Sequence, residues 1–338
     1  MKLDTILAAR DFGEAAANAK AADKMGFDAI WNTESQHEPF MPLAVAATVT
    51  KRAKLGTAVA LAFPRSPMIV AYTAWDLQAS SNGRFILGLG TQVKGHNERR
   101  FSVKWESPGR KLREVILALR AIWDSWQNRM ALNFTGEFYR FTLMTPFFDP
   151  GPIPNPRVPV YIAAVNRYMC RLAGELCDGV HVHPFHSVKY LREVMIPNLE
   201  AGAAKAGRSR GDVELATSAF VIAGDSRREI DEGRESARRQ IAFYASTRTY
   251  KPVLDAHGWG EVCQRLSDKA AAGDWSGMAR EITDEMLDEY SVAGSPAEIP
   301  QKIKARYEGI LDRLSFYTPF RPGECDARWR RLVRAFNG

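Results

Sequence analysis

Apolar positions along the chain follow two rhythms. Short runs such as "KLDTILAA", "FDAIWNTE", "KLGTAVALA" and "RFILGLG" are nearly continuous in small and branched apolar residues, the pattern of strands covered on both faces. Between them lie longer stretches with apolar residues three and four apart, of which "GRKLREVILALRAIWDSW" is a clear amphipathic helix. Local chemistry marks the boundaries. Asp11, Glu14 three residues later and Gly26 frame a helix over "DFGEAAANAKAADKMG". The Ala-rich segment after Pro42 reads as a second helix, and Asn82-Gly83 stops a third over "SPMIVAYTAWDLQASS".

The second half repeats the alternation. "VPVYIAAV" is a strand, "RYMCRLAGELC" a helix, "DGVHVHPF" a strand, and "VKYLREVMIPNLEAGAAKAG" a helix broken near Pro197. "VELATSAFVIAG" is a strand, followed by a helix with Ser226 and Glu229 as its capping pair. A helix opens at Ser295-Pro296, and "DRLSFYTPF" is the last strand. Eight strands, seven of them followed directly by a helix, predict a (β/α)8 barrel occupying residues 1–338 as a single domain. A doubly wound sheet is the alternative, but no GxGxxG follows the first strand. A barrel needs only ~250 residues. The surplus falls in two insertions, about 127–157, where "ALNFTGEFYRFT" looks like a hairpin, and about 245–290, polar and helical, a cover for the barrel mouth.

Composition narrows the function classes. Of 338 residues 46% are hydrophobic and 25% charged, an ordinary soluble globular balance. No apolar run approaches the ~18 residues of a membrane span. The N-terminus lacks the basic start and cleavage site of a signal peptide, so a cytoplasmic protein with no membrane partner is expected. Cys170, Cys177, Cys263 and Cys325 form no CxxC pair and read as buried thiols. The net charge of +7 comes from 46 basic and 39 acidic residues. They are mostly interleaved, the pattern of a solvated helix face, and no nucleic-acid partner is expected.

In a barrel of this kind chemistry sits at the C-terminal ends of the strands. Here those ends are short of acids and rich in Gly, Ala, Thr and amide side chains, which suits a flat ligand lying on backbone. "LGTAVALAFPRSP" thins to small residues from Thr57 to Ala62 and then runs into two prolines with Arg65 between them. In "HVHPFH", His181 and His183 point to one face of a strand. That spacing invites a metal, but no matching acid or lysine stands at later strand ends, so none is expected. His37 lies in the loop after the second strand.

Four segments in order, "GTAVALAFPRSP", "NGRFILGLGTQVKGHNERRF", "VPVYIAAVNRYMCRLAGELCDGV" and "DRLSFYTPF", resemble the bacterial luciferase-like superfamily, and within it the branch that uses coenzyme F420. The resemblance covers nearly the whole chain. It implies a non-proline cis peptide in a bulge after the third strand, at Ala58–Val59, with Ala58, Val59, Ala60 and Leu61 supporting one face of the cofactor ring. It implies further that Glu34 faces the cofactor and that Gly90, Thr91 and Gln92 form a turn along it. Asn97 supplies a polar contact, and Ala163, Ala164, Val165, Asn166 and Arg167 form a phosphate turn. Val165 and Asn166 stand where the family has glycines. Lys94, Arg99 and Arg100 add positive charge toward an anionic cofactor.

Two departures bear on function. Ser35 stands where sugar-phosphate dehydrogenases and FMN luciferases of the family have histidine, and Val93 where the sugar-phosphate enzymes have glutamate. Glu34, His37 and His183 remain as candidate catalytic groups. Tyr317, Trp31, Phe63 and Phe185 are candidates to wall an apolar substrate pocket. The reading that follows is an F420-dependent oxidoreductase acting on a small organic molecule. The alternatives are an FMN-dependent monooxygenase and a non-catalytic barrel that binds F420 or flavin. Partners are limited to the substrate and at most a second copy of the chain.

Overall fold

The structure, a computed structural model, describes residues 1–337. Its strands are β1 (Lys2–Ile6), β2 (Ala29–Asn32), β3 (Lys54–Thr57), β4 (Ala60–Leu61), β5 (Phe85–Gly90), β6 (Phe134–Thr135), β7 (Arg140–Phe141), β8 (Val160–Ala164), β9 (Gly179–Val182), β10 (Glu214–Ala223), β11 (Ser291–Gly294) and β12 (Arg313–Phe316). The main sheet runs β11-β10-β12-β1-β2-β3-β5-β8-β9, with β4 also on β5 and β10 also on β9. Every pair whose register is resolved in it is parallel. Eight parallel strand positions with helices between them, in an order that returns to its start, make this a (β/α)8 barrel.

Four elements depart from the sequence reading. The third strand is split into β3 and β4. β11 was not expected. β10 is ten residues long and pairs with β12 only over Ala216–Ala219, so its last residues, Phe220–Ala223, present an open ladder edge that β11 fills. The helix expected to break near Pro197 continues to Lys205, because a π-helical turn at Leu191–Met195 widens it just before the proline. The helix expected at Ser295-Pro296 begins at Ile299, since Ser295 N–H and Oγ both bond Glu298 (2.8 Å each) and form a turn instead. The hairpin β6–β7 and a set of short helices from Lys251 to Tyr290 occupy the two insertions.

The chain divides into two compact units. One comprises Thr5–His181 and Asn198–Glu214 and is called here the first unit. Its packed centre holds Trp31, Tyr161 and His181, with Trp31 and His181 edge to face at 4.8 Å. Gly56 makes room for that indole, since a Cβ there would lie 2.3 Å from Trp31 Cζ3. Trp31 is thereby a core residue and not a pocket wall. The second unit comprises Met1–Asp4, Val182–Pro197 and the described residues from Leu215 on. There a buried two-point ion pair joins Arg313 to Asp4 (2.8 and 2.9 Å). Cys170, Cys177 and Cys263 are buried free thiols, the first two pushed up to about 12 by burial. Cys325 is exposed, contrary to expectation.

Candidate functional site

In the first unit the small-residue stretch is a bulge between two strand segments. β3 ends at Thr57, whose Oγ1 donates to Gly88 O (2.7 Å) and accepts from Gly88 N–H (2.9 Å). Ala58 N–H reaches back to Asn32 O on β2 (2.8 Å), and the Ala58–Val59 peptide is cis. Pairing with β5 resumes at Ala60 and Leu61, and Ala62 N–H bonds Gly90 O (2.9 Å). The glycines of β5 follow from this geometry. A Cβ on Gly88 would lie 1.9 Å from Thr57 O, and one on Gly90 would lie 2.6 Å from Val59 Cγ2.

Glu34, at the end of the adjacent strand, ties the bulge down. It accepts from Leu61 N–H (2.7 Å) and from Arg65 Nη1 (3.0 and 2.8 Å), with its side chain 8% exposed and that of Arg65 18%. Arg65 Nη1 also donates to Leu61 O (3.1 Å). Both carboxylate oxygens of Glu34 are therefore engaged as acceptors, and the group positions backbone. His37 is exposed in the following loop, and the Ser35 carbonyl takes Arg100 Nη2 (2.6 Å). That contact draws one of the expected phosphate-binding cations toward protein.

Beyond β5, Gln92 holds a left-handed backbone (φ 56°), a conformation that costs a non-glycine residue of order 1–3 kcal/mol and gathers at functional sites. Asn97 is fully buried and donates to Thr91 O (2.9 Å) and Val93 O (3.1 Å). Its Oδ1 has no hydrogen-bond partner among the described residues. A buried acceptor without a donor costs about 1–3 kcal/mol, and with Gln92 it marks this turn as the strained part of the strand end. Val93 is 40% exposed and brings no acid or base.

Ala163 and Ala164 end β8, and Asn166 caps the helix Arg167–Leu176 by accepting Met169 N–H (3.0 Å). Its φ of −87° needs no glycine. The cap satisfies one first-turn donor. The positive helix end, Asn166 and the exposed Arg167 remain for an anion.

In the second unit His183 Nδ1 accepts Phe185 N–H (3.1 Å), leaving its proton on Nε2. Burial first, then the neighbouring His186, push His183 down to about 3. It is a neutral donor at physiological pH, with Tyr250 stacked on it at 4.1 Å and Tyr244 edge-on at 4.6 Å. His186 is pushed down to about 4, mainly by burial, and bonds His183 O (2.9 Å) and Tyr307 Oη (3.1 Å). No three metal-binding groups converge among the described residues. Phe63 and Phe185 are buried, while Tyr317 is half-buried and its hydroxyl bonds that of Tyr244 (2.7 Å).

Sequence reasoning missed Arg65 as the partner of Glu34 and missed the Tyr244–Tyr317 pair. The one signal for Arg65 was its place between two prolines at a strand end. Nothing in the sequence linked Tyr244 to Tyr317, 73 residues away.

The family description "luciferase-like monooxygenase" matches residues 3–313. An uncharacterised protein of Mycobacterium tuberculosis is 44% identical over 93% of this chain and 92% of its own length. The 5,10-methylenetetrahydromethanopterin reductase of Archaeoglobus fulgidus is 32% identical over 90% of this chain and 89% of its own. The solved coenzyme F420-dependent tetrahydromethanopterin reductase of Methanopyrus kandleri shares the fold with a TM-score of 0.79 at 20% identity, over 98% of this chain and 96% of that one. So does the FMN complex of the oxygenating constituent of 3,6-diketocamphane monooxygenase from Pseudomonas putida, with a TM-score of 0.69 at 18% identity, over 99% and 96%. Relatives thus include both F420-dependent and FMN-binding oxidoreductases. With the match running through nearly every strand, this chain belongs to the luciferase-like monooxygenase family.

Proposed function

We propose that the chain binds coenzyme F420 in its first unit and exchanges a hydride between it and a small organic substrate. The observation that carries the reading is the bulge after Thr57, a face poor in side chains that Glu34 holds through Leu61 N–H and that Gly88 and Gly90 leave unobstructed. Similarity to a reductase across nine-tenths of the chain supports reduction as the chemistry. The absence of a histidine at Ser35 and of a carboxylate at Val93 weighs against sugar-phosphate oxidation.

When bound, a deazaflavin supplies the hydride. The protein's own residues bind and orient. Ala58 to Leu61 present a backbone face without bulky side chains, and Glu34 with Arg65 holds that face in place. Asn97 would brace the turn beside the cofactor through Thr91 O and Val93 O, and Asn166 with Arg167 would meet its anionic end. The protein is expected to act in the cytoplasm on a small molecule, with no nucleic-acid or membrane partner and at most a second copy of itself. No helix among the described residues is long and apolar enough to cross a membrane.

Parallel titrations with F420 and FMN test the reading. F420 should bind tighter, and Asn97→Leu should weaken it. Arg167→Ala should weaken it about tenfold, near 1.4 kcal/mol, with a shallower salt dependence than the wild type. Tighter FMN binding would support the monooxygenase reading favoured by the FMN-bound relative. Binding without turnover across a substrate panel would leave a non-catalytic cofactor carrier.

A further inference from the structure

The second unit carries a cleft that the hydride-transfer reading leaves unused. It has a volume of about 450 Å³, and its walls include Arg234, Asp288, Val292, Ala293, Lys302 and Arg306. Three cationic heads reach it, each fixed by a bond to another residue of the wall. Arg306 Nη1 donates to Asp288 O (3.0 Å) and to Ser291 O (3.2 Å) at the start of β11. Lys302 Nζ donates to Ala293 O (3.0 Å), and Arg234 Nη1 to Asp288 Oδ1 (2.5 Å).

The three charges are not equally compensated. Arg234 is paired by Asp288 and also lies 3.5 Å from Asp284. Lys302 stands 3.6 Å from Glu298, whose other oxygen is engaged by Ser295. Arg306 pairs with no carboxylate among the described residues, and its Nε is buried without an acceptor. Carbonyl oxygens and the Tyr307 ring at 5.7 Å are its surroundings, so a full positive charge stands there without a counterion. Lys302 and Arg306 are four residues apart on the helix Ile299–Tyr307 and therefore neighbours on one face. Like charges in that relation repel. A helix whose only task was to pack would gain from a carboxylate at one of the two positions, yet both are cations and both border the cleft.

We infer that this cleft binds a small organic phosphate ester, its phosphate held between Lys302 and Arg306 and its organic part lying on Val292, Ala293 and Ala305. A doubly charged group matches two neighbouring cations, which a carboxylate does not. Guanidinium and ammonium can also take separate oxygens of one tetrahedral anion. The volume suits a small organic molecule better than a bare ion. A nucleic acid fits poorly, because Asp284, Asp288 and Glu298 stand around the cleft and would repel its further phosphates. The site needs neither cofactor nor turnover.

Calorimetric titration with phenyl phosphate, inorganic phosphate and benzoate at about pH 8, where the ester carries two charges, tests the site. Phenyl phosphate should bind at one site per chain, about tenfold tighter than benzoate, which offers the same ring with one charge. It should also bind tighter than inorganic phosphate, and equal or weaker binding would overturn the ester in favour of free phosphate. Arg306→Gln should weaken phenyl phosphate about tenfold and Lys302→Gln about threefold. Arg239→Gln, an exposed cation on the helix Arg227–Ala245, should change nothing. Arg306 also holds two carbonyls, so Lys302→Gln, on an exposed side chain, decides the matter if Arg306→Gln does not fold. Rising salt should weaken the wild type more than Lys302→Gln, since screening acts on the charge removed. No saturable binding, equal affinity for benzoate, or unchanged affinity in the folded variants would overturn the proposal. F420 titration of wild type and Lys302→Gln should give one affinity, so the phosphate site and the hydride-transfer reading stand or fall separately.

Discussion

At the ends of β3 and β5 the first unit presents Ala58, Val59, Ala60, Leu61, Gly90 and Thr91, a face poor in side chains whose backbone is braced by Thr57, Glu34, Arg65 and Asn97. At the ends of β9, β10 and β12 the second unit presents His183, Phe220 and Tyr317, joined by Tyr244 and Tyr250, and its contacts are ring on ring. The first arrangement depends on the absence of side chains, so adding an atom disrupts it. The second depends on particular side-chain atoms, and removing one leaves the rest in place. A backbone-lined face suits recognition of a cofactor shared by a whole family, and a side-chain cluster suits a substrate that differs between members.

The largest expected effect tests whether the first face tolerates any addition. Gly88→Ala forces a methyl against the Thr57 carbonyl and should destabilise by about 3 kcal/mol or more. Gly233→Ala, in a second-unit helix, would place its Cβ 2.5 Å from Ile222 Cγ2, a side-chain atom and not backbone. There helix propensity, ~1 kcal/mol in favour of alanine, offsets part of the cost of moving Ile222, so the loss should be clearly smaller than at Gly88. Urea unfolding of both compares the regions directly, and equal losses would erase the distinction.

Next comes the tie that holds the bulge. Arg65→Met leaves a largely buried Glu34 carboxylate unpaired and should cost about 3 kcal/mol. The double variant Arg65→Met/Glu34→Gln should recover part of that loss. A cycle in which the two losses simply add would mean that the pair is not coupled.

The histidines of the second unit sharpen the comparison through pH. His186 is held near 4 in the fold against 6.5 free, so the unfolded chain binds a proton that the folded chain refuses. Stability from this group is therefore full above pH 6.5 and lost as pH falls toward 4, at up to ~1.4 kcal/mol per pH unit. His183, held near 3, acts in the same direction over a wider range. Replacing His186 with Gln should flatten the pH 4–6.5 limb of the stability profile by about that slope, and an unchanged limb would show that the ring is not buried neutral.

The smallest effect is on the phenols. Tyr244→Phe removes one hydrogen bond between half-buried hydroxyls and should cost only about 1 kcal/mol, read as a small shift in urea midpoint. A loss approaching that of Gly88→Ala would mean that the second unit is as intolerant as the first.

Much of this was legible from short-range pattern. Asp11 takes Glu14 N–H (2.8 Å) and Gly26 closes that helix with φ 108°. Asn82-Gly83 follows the helix that ends at Ser80, and the eight principal strands fall where the apolar runs stand. Glu14 was an incomplete reading, because its carboxylate bonds Arg10 N–H and not the cap residue itself. The bulge after Thr57 and the turn at Gly90 were located through family resemblance. Composition alone said only that the strand thins.

The amino-acid sequence by itself determined the alternation of strand and helix, the helix caps and the positions of the insertions. These rest on hydrogen bonds and side-chain periods spanning a few residues, so their determinants lie side by side in the chain. Only the tertiary structure decided that Glu34 is held by Arg65, 31 residues on, and that Gly88 is glycine because of Thr57 O. It likewise decided that β11 fills the open edge of β10 and that Tyr317 is oriented by Tyr244. Each of these depends on which distant segments become neighbours. A glycine or a tyrosine carries no local mark of the atom it will meet, because the contact exists only after the strands between have paired.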